Sequence, residues 1–335
     1  YMIDQISKSE VDKENYLSHL NTKYIPLYES KLIHIFDHRF NIFEGTDYEE
    51  RKNGNTREFS AIEKTDINHL VETRYYVLKE DFLSRIANRG ISTQWFIGLR
   101  DVTNATNERT TIASLLPYIG VGNSINLIIM KEAKPAALML ANINTFICDF
   151  ASRQKVGSQH LNIFIMEQLP IISHSRYISY KIINFMLSDF ITKYILELTY
   201  TAWDVKSFAD DIWKEADATL RTAIMNQWDE NVAETDGGHA GAEPPPWAEI
   251  APDGFPYPPF KWDEERRARL RAELDAIYAH LYGLSREELD YILETFPIVK
   301  RKDIEKYGSY RTKELILNYY DEYSDKLAYE HVEVK

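Results

Sequence analysis

Residues 95–129 constrain the fold more than any other stretch, because two apolar runs there enclose a polar loop. The sequence reads WFIGLRDVTNATNERTTIASLLPYIGVGNSINLII. Residues 95–99 and 125–129 are the apolar runs, and both are rich in residues that favour strands. Because polar and Gly-rich segments join them, the stretch predicts two paired strands with a polar loop at residues 100–109.

The polar loop holds two Arg, two Asn and two Thr within residues 100–109. Arg pairs bidentately with guanine, and Asn or Gln with adenine, so these side chains at strand ends suit the reading of base edges. The alternative is an ordinary hairpin whose loop is solvated. On the first interpretation, Arg100, Asn104, Asn107 and Arg109 are candidates for base contacts.

A second polar cluster occupies residues 153–162. It follows an apolar helical pattern at residues 136–150, which predicts a buried helix. A rigid scaffold presents side chains to a partner in this way, at the end of a buried element. Further candidates for base contacts are Gln154 and Gln159. Candidates for phosphate contacts are Arg153, Lys155 and His160.

A third group of basic side chains lies in an aromatic-rich segment, IPLYESKLIHIFDHRFNIF, at residues 25–43. Lys31, His38 and Arg39 are candidates for phosphate contacts. His34 and His38 have the i, i+4 spacing that would place two imidazoles on one helix face. A zinc site would need a third ligand, and no HExxH glutamate lies between the two histidines, so we expect no metal.

Length and periodicity predict two domains in an α+β fold. The 335 residues exceed what one domain usually needs, and 44% of them are hydrophobic, which is ample for a core. Residues 1–175 are interpreted as a mixed α/β domain and residues 176–335 as a mainly helical domain. A Pro/Gly-rich loop interrupts the second domain at about residues 237–260. Helical patterns cover residues 178–198, 213–231, 263–282 and 312–329.

Charge and cysteine content narrow the classes of function. The net charge of −13 argues against a non-specific nucleic-acid coat. Residues 1–176 hold 20 Lys and Arg against 21 Asp and Glu, whereas the remainder holds 19 against 31, so the first half is free to offer DNA a locally basic face. The single cysteine, Cys148, lies in an apolar pattern and predicts an inert buried thiol. Without a long apolar run or a signal-peptide pattern, we expect a cytoplasmic protein with no membrane segment.

Six segments resemble the C-terminal half of bacterial adenine-specific DNA methyltransferases, those of type IIG restriction–modification and of the BREX and DISARM phage-defence systems. The segments are PLYESKLIHIFDHRF, RDVTNATNERTTIASLLPYIGVGNS, ASRQKVGSQHLNIFIMEQLPI, LELTYTAWDVKSFADD, FKWDEERRARLRAELDAIYAHLYGLSREELDYILETFPIVKRKD and YGSYRTKELIL. The HLN…QLPI ending also resembles the close of target-recognition domains in type I specificity subunits.

The resemblance implies a division of labour. In that family an N-terminal Rossmann-like domain binds S-adenosylmethionine, and its Asn/Asp-Pro-Pro-Tyr motif holds the flipped adenine. The nearest strings here, PPPW at residues 244–247 and YPPF at residues 257–260, lack the leading amide or acid. The resemblance therefore implies the specificity half of such an enzyme, with no catalytic residues or cofactor of its own. Its partners would be double-stranded DNA, the N-terminal methyltransferase domain and other restriction or defence subunits.

Two other functions stay open at this point. The acidic helical half could bind a partner subunit, which would make the protein an interaction or scaffold module of a defence complex. Glu29-Ser-Lys31 supplies the Glu-x-Lys of a metal-dependent nuclease. A nuclease site also needs an upstream acid on an adjacent strand to share the metal, and no convincing Pro-Asp precedes Glu29.

Overall fold

The computed structural model describes residues 24–157, 160–183, 185–248 and 250–329. It has the predicted α+β fold, with several small sheets and many helices. The strands are β1 Tyr24–Tyr28, β2 Asn41–Ile42, β3 Arg57–Glu58, β4 Tyr75–Leu78, β5 Phe96–Arg100, β6 Ala113–Leu116, β7 Gly120–Val121, β8 Ile125–Ile128, β9 Tyr180–Ile182, β10 Phe185–Met186 and β11 Leu327–Tyr329. The helices of the first half are α1 Tyr48–Asn53, α2 Ala61–Lys64, α3 Lys79–Asn88, α4 Ala133–Ile143, α5 Phe146–Arg153 and α6 Ile163–Met166. Those of the second half are α7 His174–Ile178, α8 Leu187–Thr199, α9 Lys206–Glu215, α10 Ala218–Glu234, α11 Glu264–Tyr282, α12 Arg286–Glu294, α13 Pro297–Tyr307 and α14 Arg311–Tyr323.

A three-stranded antiparallel sheet lies at the centre of the first half. Its middle strand is β5, which pairs with β6 on one side and with β8 on the other. Ile97 is opposite Leu115 of β6 and Ile128 of β8. The predicted pairing of the two apolar runs is therefore confirmed. Strand β6 lies within the stretch that we had interpreted as their connection.

Both faces of this central sheet are buried, because alternate side chains of β5 enter different cores. Ile97 and Leu99 belong to the larger hydrophobic core, and Phe96 belongs to a smaller core built on β1 and α3. Gly98 shares the Phe96 face, where a Cβ atom would lie 2.5 Å from Leu116 Cδ1. A larger residue at this position would have to displace the side chains of Leu116 and Ile125.

The larger core runs through both predicted domains. It contains Leu140 and Ile147 from the first half together with Ile195, Ile277 and many other side chains from the second. Helix α4 packs along α8, and α11 packs along both α14 and α5. The predicted boundary at residues 175 and 176 therefore crosses continuous packing.

The helical prediction for the second half is correct in type but wrong at several boundaries. The pattern at residues 178–198 contains β9 and β10 before α8 begins at Leu187. Strand β9 pairs with β11, which occupies the end of the predicted 312–329 helix. Pairing between segments so far apart leaves no local periodic signal. The predicted helix at residues 213–231 is divided between α9 and α10, where Asp217 caps the second helix.

Helix α11 begins and ends where the sequence indicated. The Asp263 side chain accepts a hydrogen bond from the Arg266 amide, and Gly283 adopts the left-handed conformation at the C-terminus. Two of the arginines on this helix, Arg266 and Arg267, are buried. Arg266 binds the buried Glu197, and Arg267 donates to the Leu198 and Phe36 carbonyls.

Two smaller expectations have clear outcomes. Cys148 is fully buried, and burial raises its thiol pKa to about 12, as expected for an inert thiol. His34 and His38 do not share a helix face, because the chain turns between them and His34 bridges to Asp37. Within the described ranges, no helix combines the length and the apolar character needed to cross a membrane.

Candidate nucleic-acid interface

The two predicted polar clusters lie side by side. Val102 and His160 form an antiparallel bridge, and the Leu161 amide donates to the Asp101 carbonyl over 2.7 Å. The His160 Nδ1 atom lies 2.6 Å from Asp101 Oδ2. Residues 100–109 therefore lie beside residues 153–157 and 160–162, and we call these segments together the paired-loop surface. Gln159, one of the candidates for base contacts, lies outside the described residues.

One buried carboxylate fixes the base of the paired-loop surface. Asp149, at the centre of α5, is fully buried and accepts from Arg109 Nε at 2.6 Å and from Arg153 Nε at 2.9 Å. It also accepts from the Thr110 amide at 3.0 Å. Two arginines on one buried carboxylate form strong charge-assisted hydrogen bonds and keep each other in place.

Arg153 also carries the tip of the first loop. Its Nη2 atom donates to the Asn107 and Glu108 carbonyls, each over 2.8 Å. Its guanidinium lies 4.0 Å from the centre of the Phe296 ring, and that of Arg109 lies 4.1 Å from Phe146. Both guanidinium groups are thus occupied within the protein, so we reassign Arg109 from base contact, and Arg153 from phosphate contact, to positioning the loop.

Several polar side chains of the paired-loop surface are exposed or half-buried. Asn107, Gln154, Lys155 and His160 are exposed, and Lys155 Nζ donates to Gln168 Oε1 at 3.3 Å. Asn104 is half-buried, and its Oδ1 atom accepts from the Thr106 amide and hydroxyl, each at 2.9 Å. Its Nδ2 group is the part of the amide that this turn does not use.

Large apolar side chains border the polar ones. Val102 is 50% exposed, and the neighbouring pair Ile163 and Phe164 on α6 is 63% and 71% exposed. No expectation from the sequence singled out this pair. Ile163 and Phe164 therefore form an exposed apolar pair next to the polar side chains.

Arg100 is half-buried, and its side chain is held against the interior. It is held by a hydrogen bond to the Ile33 carbonyl and lies 5.7 Å from the centre of the Phe40 ring. Burial lowers the pKa of its guanidinium to about 10. This arginine therefore cannot reach a base edge in this conformation, because it points inward from the end of β5.

The third basic group is structural. Arg39 is fully buried and donates to four backbone carbonyls, those of Lys64, Asp66, His69 and Thr201, at 2.8–3.2 Å. His38 Nε2 lies 3.0 Å from Asp204 Oδ1 and is also buried. Neither side chain can contact a phosphate here, since both are enclosed by the protein. Lys31 Nζ is bonded to the Gly54 carbonyl at 2.6 Å, against a different loop.

The acidic groups that could serve metal chemistry are bound to arginines. Glu29 of the Glu-x-Lys sequence accepts two hydrogen bonds from Arg74, at 2.7 and 2.8 Å. Within the described ranges, one set of three metal-capable side chains comes together, Glu44, Glu63 and His69. Arg57 binds Glu63 there, and this hydrogen bond lowers the pKa of Glu63 to about 2. A guanidinium already occupies the position that a cation would take.

The two Pro-Pro strings differ in their surroundings. Tyr257 stacks on Trp228 at 4.5 Å, and the fully buried Phe260 donates its amide to the Tyr200 carbonyl. The YPPF string therefore packs on the helical core, whereas Trp247 of the PPPW string lies in a partly exposed loop.

Asp149 and Asp101 are the organising residues that the sequence reasoning missed. Asp149 lies four residues before Arg153, a spacing that suggests their ion pair, but its other partner, Arg109, is 40 positions away and the partner of Asp101, His160, is 59 positions away, so spacing could not identify these two contacts. Comparison of the chain with protein-family models, with curated proteins and with solved structures found no match.

Proposed function

We propose that this chain is the DNA target-recognition module of an adenine-specific DNA methyltransferase of the type IIG, BREX or DISARM kind. The observation that carries the proposal is the joining of two polar clusters, some 50 residues apart, into the paired-loop surface. A buried ion-pair anchor holds amide side chains at its rim, which is the rigid presentation that base reading requires.

The side chains divide into two roles. Asn104, Asn107 and Gln154 offer amide groups that match the donor and acceptor edge of adenine, each bidentate pair being worth about 1–3 kcal/mol of discrimination. Lys155 and His160 are placed to contact phosphate, which positions the module without reading sequence. Val102, Ile163 and Phe164 would contact thymine methyl groups or sugar edges beside them.

We assign the methyl transfer itself to a partner domain. The N-terminal methyltransferase domain that the resemblance implies would bind S-adenosylmethionine and draw one adenine out of the duplex. The present chain would take no cofactor and choose the position of that adenine. Most of the excess negative charge lies in residues 177–335, so the duplex would lie on the first half, away from the acidic helices.

Selection from random duplexes tests the proposal. The full chain is expected to enrich one sequence, with an affinity that falls as salt rises. The double variant Asn107→Ala/Gln154→Ala should lose the enriched sequence while keeping weak general binding. Asn88→Ala, an exposed amide at the end of α3, is the matched control. Enrichment of no sequence at low salt would refute the proposal.

A protein-interaction module is the second candidate, and the exposed Ile163 and Phe164 favour it. On this reading the pair packs on the methyltransferase half or on another defence subunit. Ile163→Ser/Phe164→Ser would then abolish association with a separately expressed methyltransferase half and leave duplex selection unchanged. Under the DNA proposal, the same variant weakens duplex binding.

A further inference from the structure

A cavity of about 210 Å³ lies between the first loop of the paired-loop surface and the C-terminal helices. Glu108 and Arg109 line it from the loop side. Arg271 of α11, Lys302 of α13 and Arg311 of α14 line it from the helical side. Four basic side chains from four separate elements thus converge on one small space.

Three of these four basic side chains are neutralised within the protein. Arg109 is bound to Asp149, Lys302 to Glu108, and Arg311 to Glu265. Arg271 differs, because its Nε atom donates to the Arg267 carbonyl at 3.3 Å and no carboxylate in the described part of the chain forms an ion pair with it. Arg271 is half-buried, so its unpaired charge faces the cavity rather than bulk water.

The acids that line the cavity are committed to other partners. Asp275 accepts from the Phe146 amide at 2.7 Å, and Asp303 accepts from the Thr312 amide at 2.6 Å. Burial raises the pKa of Asp275 to about 6, although Arg109, the Phe146 amide and Arg271 each lower it. Neither acid forms an ion pair with Arg271, so the guanidinium keeps its capacity for a ligand.

The lowered pKa of the neighbouring His34 imidazole also indicates a positively charged cavity. His34 lines the cavity, and burial together with Arg100, Arg109 and Arg271 lowers its pKa to about 3. A neutral His34 can donate or accept a hydrogen bond without adding charge. Phe36, two residues further, has a φ of 55°, a rare value for a bulky residue. Strained backbone of this kind clusters at ligand sites.

We propose that this cavity binds a phosphate group, with Arg271 as its principal ligand. A guanidinium fork matches two phosphate oxygens, and the pairing is strongest where water is partly excluded, as it is here. The apolar walls, which include Phe146 and Ile316, would accept the organic part of a phosphate ester. The site does not depend on the proposed function, since a DNA backbone and a free phosphate compound present the same group.

Titration of the full chain with inorganic phosphate tests this site. At constant ionic strength, with chloride as the reference anion, phosphate is expected to bind saturably and to raise the melting temperature. Arg271→Gln should weaken binding by about tenfold or more, as for loss of a charge-assisted hydrogen bond. The phosphate affinity of Arg271→Lys should lie between those of the wild type and Arg271→Gln, because lysine keeps the positive charge but lacks the two-pronged guanidinium. Arg85→Gln, an exposed arginine on α3, should match the wild type.

Two results overturn the site: the wild-type chain binds phosphate no better than chloride, or Arg271→Gln binds it as well as the wild type. The first of these requires no variant, so it holds even if Arg271→Gln fails to fold.

Duplex binding then identifies the source of the phosphate. If the source is the DNA backbone, Arg271→Gln lowers duplex affinity and reduces the slope of log affinity against log salt by about 0.9. If the source is a free phosphate compound, the variant binds duplex normally and loses inorganic phosphate alone. A wild-type chain that binds phosphate but selects no duplex would refute the DNA proposal and leave this site standing.

Discussion

Asp149 and Glu197 are both buried carboxylates that bind arginine, but they lie beneath different kinds of surface. Asp149 accepts from Arg109 and Arg153 under the paired-loop surface. Glu197, on α8, accepts from Arg266 at 2.5 and 3.0 Å and from Asn231 at 3.0 Å among packed helices. The two sites share their chemistry and differ in what their arginines hold.

The further contacts of each arginine distinguish the roles of the two carboxylates. Arg153 continues from Asp149 to the carbonyls of the exposed loop, whereas Arg266 continues from Glu197 to Glu230 and Glu234 on α10. Disturbing Glu197 therefore affects the packing of helices, and disturbing Asp149 affects packing and loop position together. A buried ion pair by itself does not indicate a binding site; the exposed groups that it supports do.

The largest effect is expected at Glu197. Glu197→Ala leaves the buried Arg266 without its main partner, which should lower the free energy of unfolding by about 3–5 kcal/mol. Urea denaturation measures this change. Glu234→Ala, which removes a half-exposed acid from the same arginine, is the control and should cost far less. Folded Glu197→Ala protein should select the same duplex as the wild type, and a change in selectivity would break the comparison.

Asp149→Asn should cost somewhat less stability, about 3 kcal/mol, because the amide still fills the space while two arginines lose their counter-charge. Unlike Glu197→Ala, it should also weaken duplex selection, since Arg153 no longer fixes the Asn107 and Glu108 carbonyls. Duplex affinity is to be measured on protein shown to be folded by circular dichroism. Wild-type affinity in the folded variant would show that the anchor has no part in recognition.

Asp275 sharpens the comparison as a third buried carboxylate, because burial raises its pKa. Because its folded pKa is about 6 against an ordinary 3.8, the unfolded chain ionises it first. Its contribution to stability therefore falls as pH rises from about 4 to about 6 and stays low above that. Asp275→Asn should remove this fall and gain up to about 3 kcal/mol at pH 7.5. Equal gains at pH 4 and pH 7.5 would contradict this explanation.

The smallest effect is expected at Lys155, on the rim above Asp149. Lys155→Ala should leave the free energy of unfolding within about 0.5 kcal/mol of the wild type, because the side chain is exposed. If it contacts one phosphate, the slope of log duplex affinity against log salt should fall by about 0.9. Gel-shift titrations at several salt concentrations measure the slope. An unchanged slope would remove Lys155 from the interface.

The sequence supported the fold class and the central strands better than it supported individual sites. Apolar runs at residues 95–99 and 125–129 predicted β5 and β8, and the helical pattern at residues 263–282 predicted α11. Strand β6 was missed, since ASLL is buried on both faces and lacks alternation.

The site residues were harder to predict, because the sequence does not show whether a charged side chain is exposed or held by a buried partner. Arg109 and Arg39 stood beside polar segments, yet their partners, Asp149 and the Thr201 carbonyl, lie 40 and 162 positions away. Pairing over such distances leaves no trace in spacing or periodicity. The sequence predicted the two polar clusters, but it gave no sign of the main-chain bridge that joins them.

If the chain reads DNA as we propose, the bridge between Val102 and His160 has a consequence for changing the recognised sequence. The main chains of the two loops are hydrogen-bonded to each other. A segment transplanted at residues 100–109 would therefore lie against a loop from a different protein and would not keep its conformation. The transferable unit is both loops together with α5 and its Asp149. Natural variants with new targets should accordingly carry coordinated replacements in both segments, and chimaeras that exchange one loop alone should bind poorly.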